Sequence, residues 1–395
     1  MLDKGFWTGF ACGALCVAVG STIGITVRFL QHESRGYVMS DPAHEARLES
    51  LEDLIDEYYL GETDDEKLAD GIYKGLISGL DDRYSCYYTA EEYKAEAEDS
   101  QGTYEGIGII MQALSDGTIL VVECVEGGPG QLSGLKDNDI IIKMDDRDVT
   151  EMETDEVVEY IRTGSSGSVT LTILRGTGED AEQVEVTVPV ANVELPSVYT
   201  DILEEKTGYL QITEFKSVTY HQFCDALDKL IEDGIERLVI DVRDNPGGYV
   251  DVVCNILRRI LPEGLIVYTE DKHGERIEEY GDGETPLSIP LAVLVNTGSA
   301  SASEIFAGAV KDYSIGTIVG TTTYGKGVVQ SIRAYPDGSA VKLTTSHYFT
   351  PKGTDIHEIG IEPDIFIENN EDSDEYSDAQ LQKALEVLDN KVMEE

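Results

Sequence analysis

The period at which apolar residues recur changes twice along this chain, and that division constrains the fold more than any single motif does. From Asp41 to about Glu98 the spacing is three and four: Leu48, Leu51, Leu54, Ile55 and Tyr58, then Leu68, Ile72, Leu76 and Ile77. That is the pattern of amphipathic helices, which predicts a packing or self-association element. The turn Gly79-Leu80-Asp81-Asp82 closes it. From about Gln101 to Val190 the pattern is strand-like, with strands expected at Thr118–Val122, Ile140–Lys143, Ser168–Leu174 and Gln183–Val188 and one helix over Asp155–Arg162. From Gly208 onward apolar strands (Gly208–Ile212, Arg237–Val242, Leu291–Val295, Thr317–Val319) alternate with helices (Tyr220–Asp233, Asp251–Ile260, Ser303–Asp312). Alternation of that kind predicts an α/β layered core, so the fold class expected is α/β multidomain. The acidic stretch Glu368–Asp378 reads as a connector to a last amphipathic helix, Ala379–Val392.

Charge excludes one class of partner. Against 29 Lys+Arg stand 77 Asp+Glu, a formal net charge of −48. A surface that acidic repels phosphate backbones, so no nucleic-acid partner is expected. The six cysteines form no CxxC pair and no cluster with histidine, so no metal and no cofactor is expected. Cys86, Cys124, Cys224 and Cys254 could pair in an oxidising compartment or stay free. At the N-terminus, Gly5 to Val27 is uncharged and long enough to cross a bilayer, with Lys4 before it and Arg28 and Arg35 after it. Residues 1–35 are expected to be a membrane anchor, with a cleaved signal sequence as the alternative. The remainder is expected to be extracytoplasmic, or secreted if the segment is removed.

Three segments of the α/β part could carry chemistry. In Asp244-Asn245-Pro246-Gly247-Gly248 a buried strand runs into paired glycines, whose backbones can aim N–H groups at a developing oxyanion. In Gly298-Ser299-Ala300-Ser301-Ala302-Ser303-Glu304 three alternating serines stand at a helix start, where a serine can be a cap or a nucleophile. The pattern leaves Ser299, Ser301 and Ser303 equally open. In Tyr324-Gly325-Lys326-Gly327-Val328-Val329-Gln330 a lysine sits between glycines and ahead of an apolar pair. Burial there would lower its pKa and supply a neutral amine as base, which Gln330 could hold by a hydrogen bond. A phosphate loop is excluded, because Lys326 is followed by Gly327 and not by Ser or Thr. In the strand-like region, Tyr104 to Ile109 contains Gly106-Ile107-Gly108, a loop whose N–H groups can capture a C-terminal carboxylate while the next strand accepts a peptide edge to edge.

That loop, followed by Gly130-Gln131-Leu132-Ser133-Gly134-Leu135-Lys136-Asp137, resembles a PDZ domain. The three α/β segments, with Gly79-Leu80-Asp81-Asp82-Arg83-Tyr84-Ser85 and the tail Gly360-Ile361-Glu362-Pro363-Asp364, resemble the C-terminal processing peptidases, PDZ-containing serine proteases of the tail-specific family S41. Relatives often carry Asp-Pro where this chain has Asp81-Asp82, a departure expected to touch a turn and not the chemistry. The resemblance implies four parts: residues 1–35 anchor or signal, 36–98 helical region, 99–190 PDZ domain, and 191–395 a ClpP/crotonase-like protease core. It implies Ser301 as nucleophile, Lys326 as base, Gln330 as the residue orienting the lysine, and Ala302 with Gly247 or Gly248 as backbone oxyanion donors. It further implies substrates with apolar C-termini, held by Tyr104, Gly106, Ile107, Gly108, Ile109 and Leu135, and suggests a homodimer. Arg162, at the end of the PDZ helix, is expected to be solvent-exposed. Two rival readings remain: a Ser/His hydrolase using His221, His273, His347 or His357, and a peptide-binding adaptor without catalysis.

Overall fold

A computed structural model describes residue 38 and residues 41–164, 167–176, 181–369 and 378–392. The expected anchor at residues 1–35 lies outside them. Among the described residues no helix is long and apolar enough to cross a membrane.

The chain divides into two compact units, Met1–Ala69 and Asp70–Glu395. In the first, the helix Pro42–Tyr58 starts where Asp41 accepts the N–H of Ala43 (2.9 Å) and Pro42 fixes the first turn. None of its residues is buried, and Leu51, Leu54 and Tyr58 are exposed.

The second unit is built on a six-stranded sheet in the order Val198–Leu203, Thr207–Ile212, Arg237–Asp241, Leu291–Val295, Gly316–Gly320, Ile365–Phe366. The first pair is antiparallel and all others are parallel. Successive residues of each strand point to opposite faces, and both faces are covered, which is why these strands read as unbroken apolar runs. Leu238, Ile240, Val293 and Ile318 pack with Phe223, Val253, Ile256 and Phe306, which belong to the helices Thr219–Glu232, Val250–Arg258 and Ala302–Tyr313. Val239, Ala292, Leu294 and Val319 face Ala384 and Leu388 of the terminal helix Ala379–Val392. The expected α/β layers are therefore present, with boundaries moved by one or two residues.

A second, antiparallel sheet combines Cys86–Tyr88, Ala340–Phe349, Gly264–Asp271 and Arg276–Gly281, with Val328–Ala334 also paired to Ala340–Phe349. The β-rich module is an antiparallel sheet of Ile109–Ala113, Ile119–Cys124, Ile140–Met144, Ser168–Arg175 and Glu182–Pro189, closed by the short helix Thr154–Glu159. Its core holds Val121, Ile141, Met144, Val157, Leu171 and Val188. The expected helix to Arg162 is α-helical only to Glu159 and continues as a wider turn over Tyr160–Gly164. All four cysteines outside the N-terminal segment are free.

Candidate active site

Three loops leave the C-terminal ends of adjacent parallel strands and converge, the position at which open α/β sheets bind ligands. Residues 242–249 follow Arg237–Asp241, residues 296–301 follow Leu291–Val295, and residues 321–327 follow Gly316–Gly320. Together with Val328, Val329, Gln330, Lys342 and Tyr348 they border a cleft of about 600 Å³ that contains Ser301, Lys326, Gly247 and Gly248.

Burial separates the three serines. Ser299 is fully buried, accepts the N–H of Asn296 (3.0 Å) and donates to the carbonyl of Val242 (2.7 Å). Ser303 is fully buried and donates to the carbonyl of Asn245 (2.9 Å). Both knit loops together. Ser301 alone is half-buried and opens into the cleft, at the N-cap of Ala302–Tyr313. Its φ of 56° and ψ of −113° lie where a residue with a Cβ is strained, so surrounding contacts must hold it.

Glu304 supplies them. Fully buried, its carboxylate accepts the N–H of Ser301 (2.9 Å), Gly325 (2.7 Å) and Lys326 (2.8 Å) and the hydroxyl of Thr323 (2.6 Å). One anion therefore fixes the serine loop to the lysine loop. Tyr348 makes a second tie, donating to the carbonyls of Ser301 (3.1 Å) and Lys326. Burial, then the Glu304 charge, raises the Tyr348 pKa well above the ordinary phenol value, so it stays a donor.

Lys326 reaches the cleft from this loop. Burial lowers its pKa from the ordinary value, the nearby Lys342 and Arg83 charges lower it further, and Glu304 opposes the shift. Its Nζ lies 4.9 Å from the centroid of the Tyr84 ring. Among the described residues no hydrogen bond joins it to Ser301. Gln330 does not hold the amine either: its Nε2 donates to the carbonyl of Val328 and the hydroxyl of Thr344, both at 3.4 Å. A register shift lies between Val329 and Gln330 in the pairing with Ala340–Phe349, an irregularity that sequence spacing cannot reveal.

The two glycines also separate. Gly247 (φ 110°) lies so close to the serine loop that a Cβ would come within 2.7 Å of Ser301 Cβ, but its N–H donates to Asn245 Oδ1 (2.8 Å). At Gly248 (φ 136°) a Cβ would come within 2.2 Å of the carbonyl oxygen of Phe215. Among the described residues its N–H and that of Ala302 have no protein acceptor. The structure thus favours Gly248 over Gly247 as a free donor.

The sequence matches the model of peptidase family S41 over residues 206–367 and that of the PDZ domain over residues 97–174. It is 35% identical over 318 residues to the carboxy-terminal processing protease CtpA of Bacillus subtilis (strain 168), covering 80% of this chain and 67% of that one. A CtpA-like serine protease of Staphylococcus aureus (strain MSSA476) is 33% identical over 343 residues, covering 86% and 68%. The chain belongs to peptidase family S41. It is a serine-type peptidase that carries a PDZ domain. An S41 protease structure from Bacteroides fragilis NCTC 9343 shares the fold, with a TM-score of 0.50 at 17% identity over 85% of this chain and 93% of that one.

In this S41 peptidase no histidine among the described residues borders the serine cleft. His221 pairs with Glu194 (2.8 Å), His273 donates its backbone N–H to Asp271 (2.8 Å), and the His347 and His357 rings pack edge to face. The PDZ residues divide. Ile107 and Leu135 are each only 2% exposed and pack in the domain core. Ile109 is half-buried on the edge strand Ile109–Ala113. Arg162 is exposed as expected and pairs with Glu98 (2.9 Å) of the helix Ala90–Gln101.

Sequence reasoning missed four side chains here: Glu304, Tyr348, Arg83 and Tyr84. The Gly79–Ser85 segment proves to be more than a turn, since Tyr84 lies under the Lys326 ammonium and accepts a hydrogen bond from Arg83 (2.5 Å). The motif match at residues 79–85 was the available signal; only the fold brings it to the lysine.

Proposed function

We propose that the protein is a serine endopeptidase in which Ser301 is the nucleophile and Lys326 the general base. The observation that carries this is the sorting of the three candidate serines: of Ser299, Ser301 and Ser303 only Ser301 faces the cleft that also holds Lys326, and one buried carboxylate ties both loops. Neutral Lys326 takes the Ser301 proton as Oγ attacks the scissile carbonyl, giving a tetrahedral oxyanion and then an acyl-enzyme. The N–H groups of Ala302 and Gly248 receive the oxyanion. The lysine ammonium gives its proton to the leaving amine, and water then hydrolyses the ester with Lys326 again as base. The seat of the amine over Tyr84 is a resting position, from which rotation of a flexible stem brings it to the serine. Gln330 steadies it after that rotation.

The PDZ module selects substrates by their free C-termini, adding them to the edge strand Ile109–Ala113 with the carboxylate at the Gly106–Ile109 loop. Anchoring through residues 1–35, an extracytoplasmic location and self-association through the exposed helix Pro42–Tyr58 complete the proposal. Purified full chain, Ser301→Ala and Lys326→Ala are to be incubated with casein and with peptides ending in apolar or charged residues. Cleavage by the parent alone, faster on apolar termini, is expected. Cleavage that survives Lys326→Ala sinks the dyad, and no cleavage by folded parent would favour a binding role.

A further inference from the structure

The ring beneath the Lys326 amine is held in place from several sides. Tyr84 N–H donates to Asp82 Oδ1 (3.1 Å) and Ser85 Oγ donates to Asp82 Oδ2 (2.5 Å), which closes the turn. Ser85 Oγ also accepts the N–H of Thr344 (3.0 Å), and Cys86 sits opposite Lys342, so the segment is fastened to Ala340–Phe349. Arg83 donates to the Tyr84 hydroxyl (2.5 Å). Its guanidinium lies 4.7 Å from the Tyr84 centroid and 5.3 Å from that of Tyr324. Burial raises the Tyr84 pKa above the ordinary phenol value, so the ring stays neutral.

The half-buried Lys326 ammonium finds little else to hold it. Among the described residues its Nζ donates no hydrogen bond to the protein. Glu304 attracts it by charge, but both carboxylate oxygens are taken by the N–H groups of Ser301, Gly325 and Lys326 and by Thr323. The Tyr348 hydroxyl is spent on the carbonyls of Ser301 and Lys326. Arg83 and Lys342 repel the ammonium, and Lys342 is itself held by Tyr88 (3.0 Å) and Glu96 (3.3 Å). Asp99 and Glu214, farther along the cleft, are paired with Lys216 (2.9 and 3.2 Å). What remains is the Tyr84 ring, its centroid 4.9 Å from Nζ. An aromatic face attracts an ammonium but repels the lone pair of a neutral amine.

We propose that Tyr84 is a positioning residue that parks the protonated Lys326 away from Ser301, so that loss of one proton both makes the base and releases it. The inference rests on the proposed Ser301–Lys326 dyad. The ammonium gives its proton to solvent, and the neutral amine then has no reason to stay on the ring and turns to Ser301 Oγ. The latch acts on the cation alone. It holds the enzyme at rest on the acid side and vanishes where the lysine is neutral, whereas a ring that merely filled space would act alike at every pH.

The test is the pH profile of kcat/KM on one fluorogenic peptide, measured for the full chain and for Tyr84→Leu, Tyr84→Phe and Lys342→Met. Without the ring the cation loses its partner, so the rising limb of Tyr84→Leu should move down by about half to one pH unit. Activity on its acid side then rises about three- to tenfold. On the high-pH plateau the difference should shrink to within about twofold, because no cation remains to hold. Tyr84→Phe keeps the aromatic face and should return the limb to within about 0.3 unit of the parent. If thermal melts show that Tyr84→Leu does not fold, 3,4,5-trifluorophenylalanine in place of Tyr84 keeps the ring's shape while draining charge from its face. It must move the limb the same way. A limb that stays in place or moves up without the ring face, or a lower plateau, overturns the latch. Lys342→Met separates that failure from failure of the dyad. If its limb moves up while that of Tyr84→Leu stays, Lys326 is the titrating base and only the latch is wrong. If neither moves, the titrating group is not Lys326 and both fall.

Discussion

At the scale of single residues, the site depends on one carboxylate more than on either residue proposed to react. Glu304 accepts three N–H groups and a hydroxyl while fully buried, and Ser301 holds a backbone conformation that nothing local favours. In Glu304→Gln one acceptor oxygen becomes a donor facing N–H groups. Loss of about 3 kcal/mol of stability is expected, with a fall in kcat larger than any change in KM, read by denaturant melts and peptide kinetics. The lysine sets the pH dependence. Its folded pKa is lowered, chiefly by burial and next by Lys342, so activity should rise with pH through a value below 10.5. Between that value and 10.5 the unfolded chain binds more protons at this group, so its contribution to stability also rises with pH. Lys342→Met removes a positive neighbour, and the rising limb of kcat/KM against pH should move to higher pH. A limb that stays in place would show that the titrating group is not Lys326. Motif spacing singles out Lys326 but leaves Ser299, Ser301 and Ser303 equal, and only the family resemblance points to Ser301. Burial separates Ser301 from Ser299 and Ser303, and Gln330 rests on Val328 and Thr344.

At the scale of elements, the loops matter through how they are pinned. Asn245 is fully buried; its Nδ2 donates to the Ile212 carbonyl (2.8 Å), its Oδ1 accepts Gly247 N–H (2.8 Å), and its carbonyl takes Ala300 N–H (3.0 Å). It joins the glycine loop to the serine loop. Asn245→Ala should reduce stability by about 2 kcal/mol and free Gly247 to move, with activity falling further than stability explains; residual activity is to be measured where both proteins are fully folded. Helices and central strands were legible because their apolar periods are strong and both sheet faces are covered. The strands Gly264–Asp271 and Arg276–Gly281 were not: the first is placed by pairing with Ala340–Phe349, and the second pairs with the first as a mostly exposed edge.

At the scale of the whole molecule, 77 acidic against 29 basic residues leave a self-repulsion that salt screens. Raising NaCl from about 0.02 M to about 0.3 M, which shortens the screening length well below the molecule's width, should raise Tm; a flat or falling Tm would mean that local ion pairs outweigh the net charge. The sequence by itself determined the order of the parts, the layered core, the PDZ module and the candidate loops, because periodicity and local motifs are written in neighbouring residues. The tertiary structure alone decided which serine is open, which glycine N–H is free, and that Tyr84 meets Lys326. Those facts depend on burial and on contacts between segments far apart in the chain, which no local pattern records.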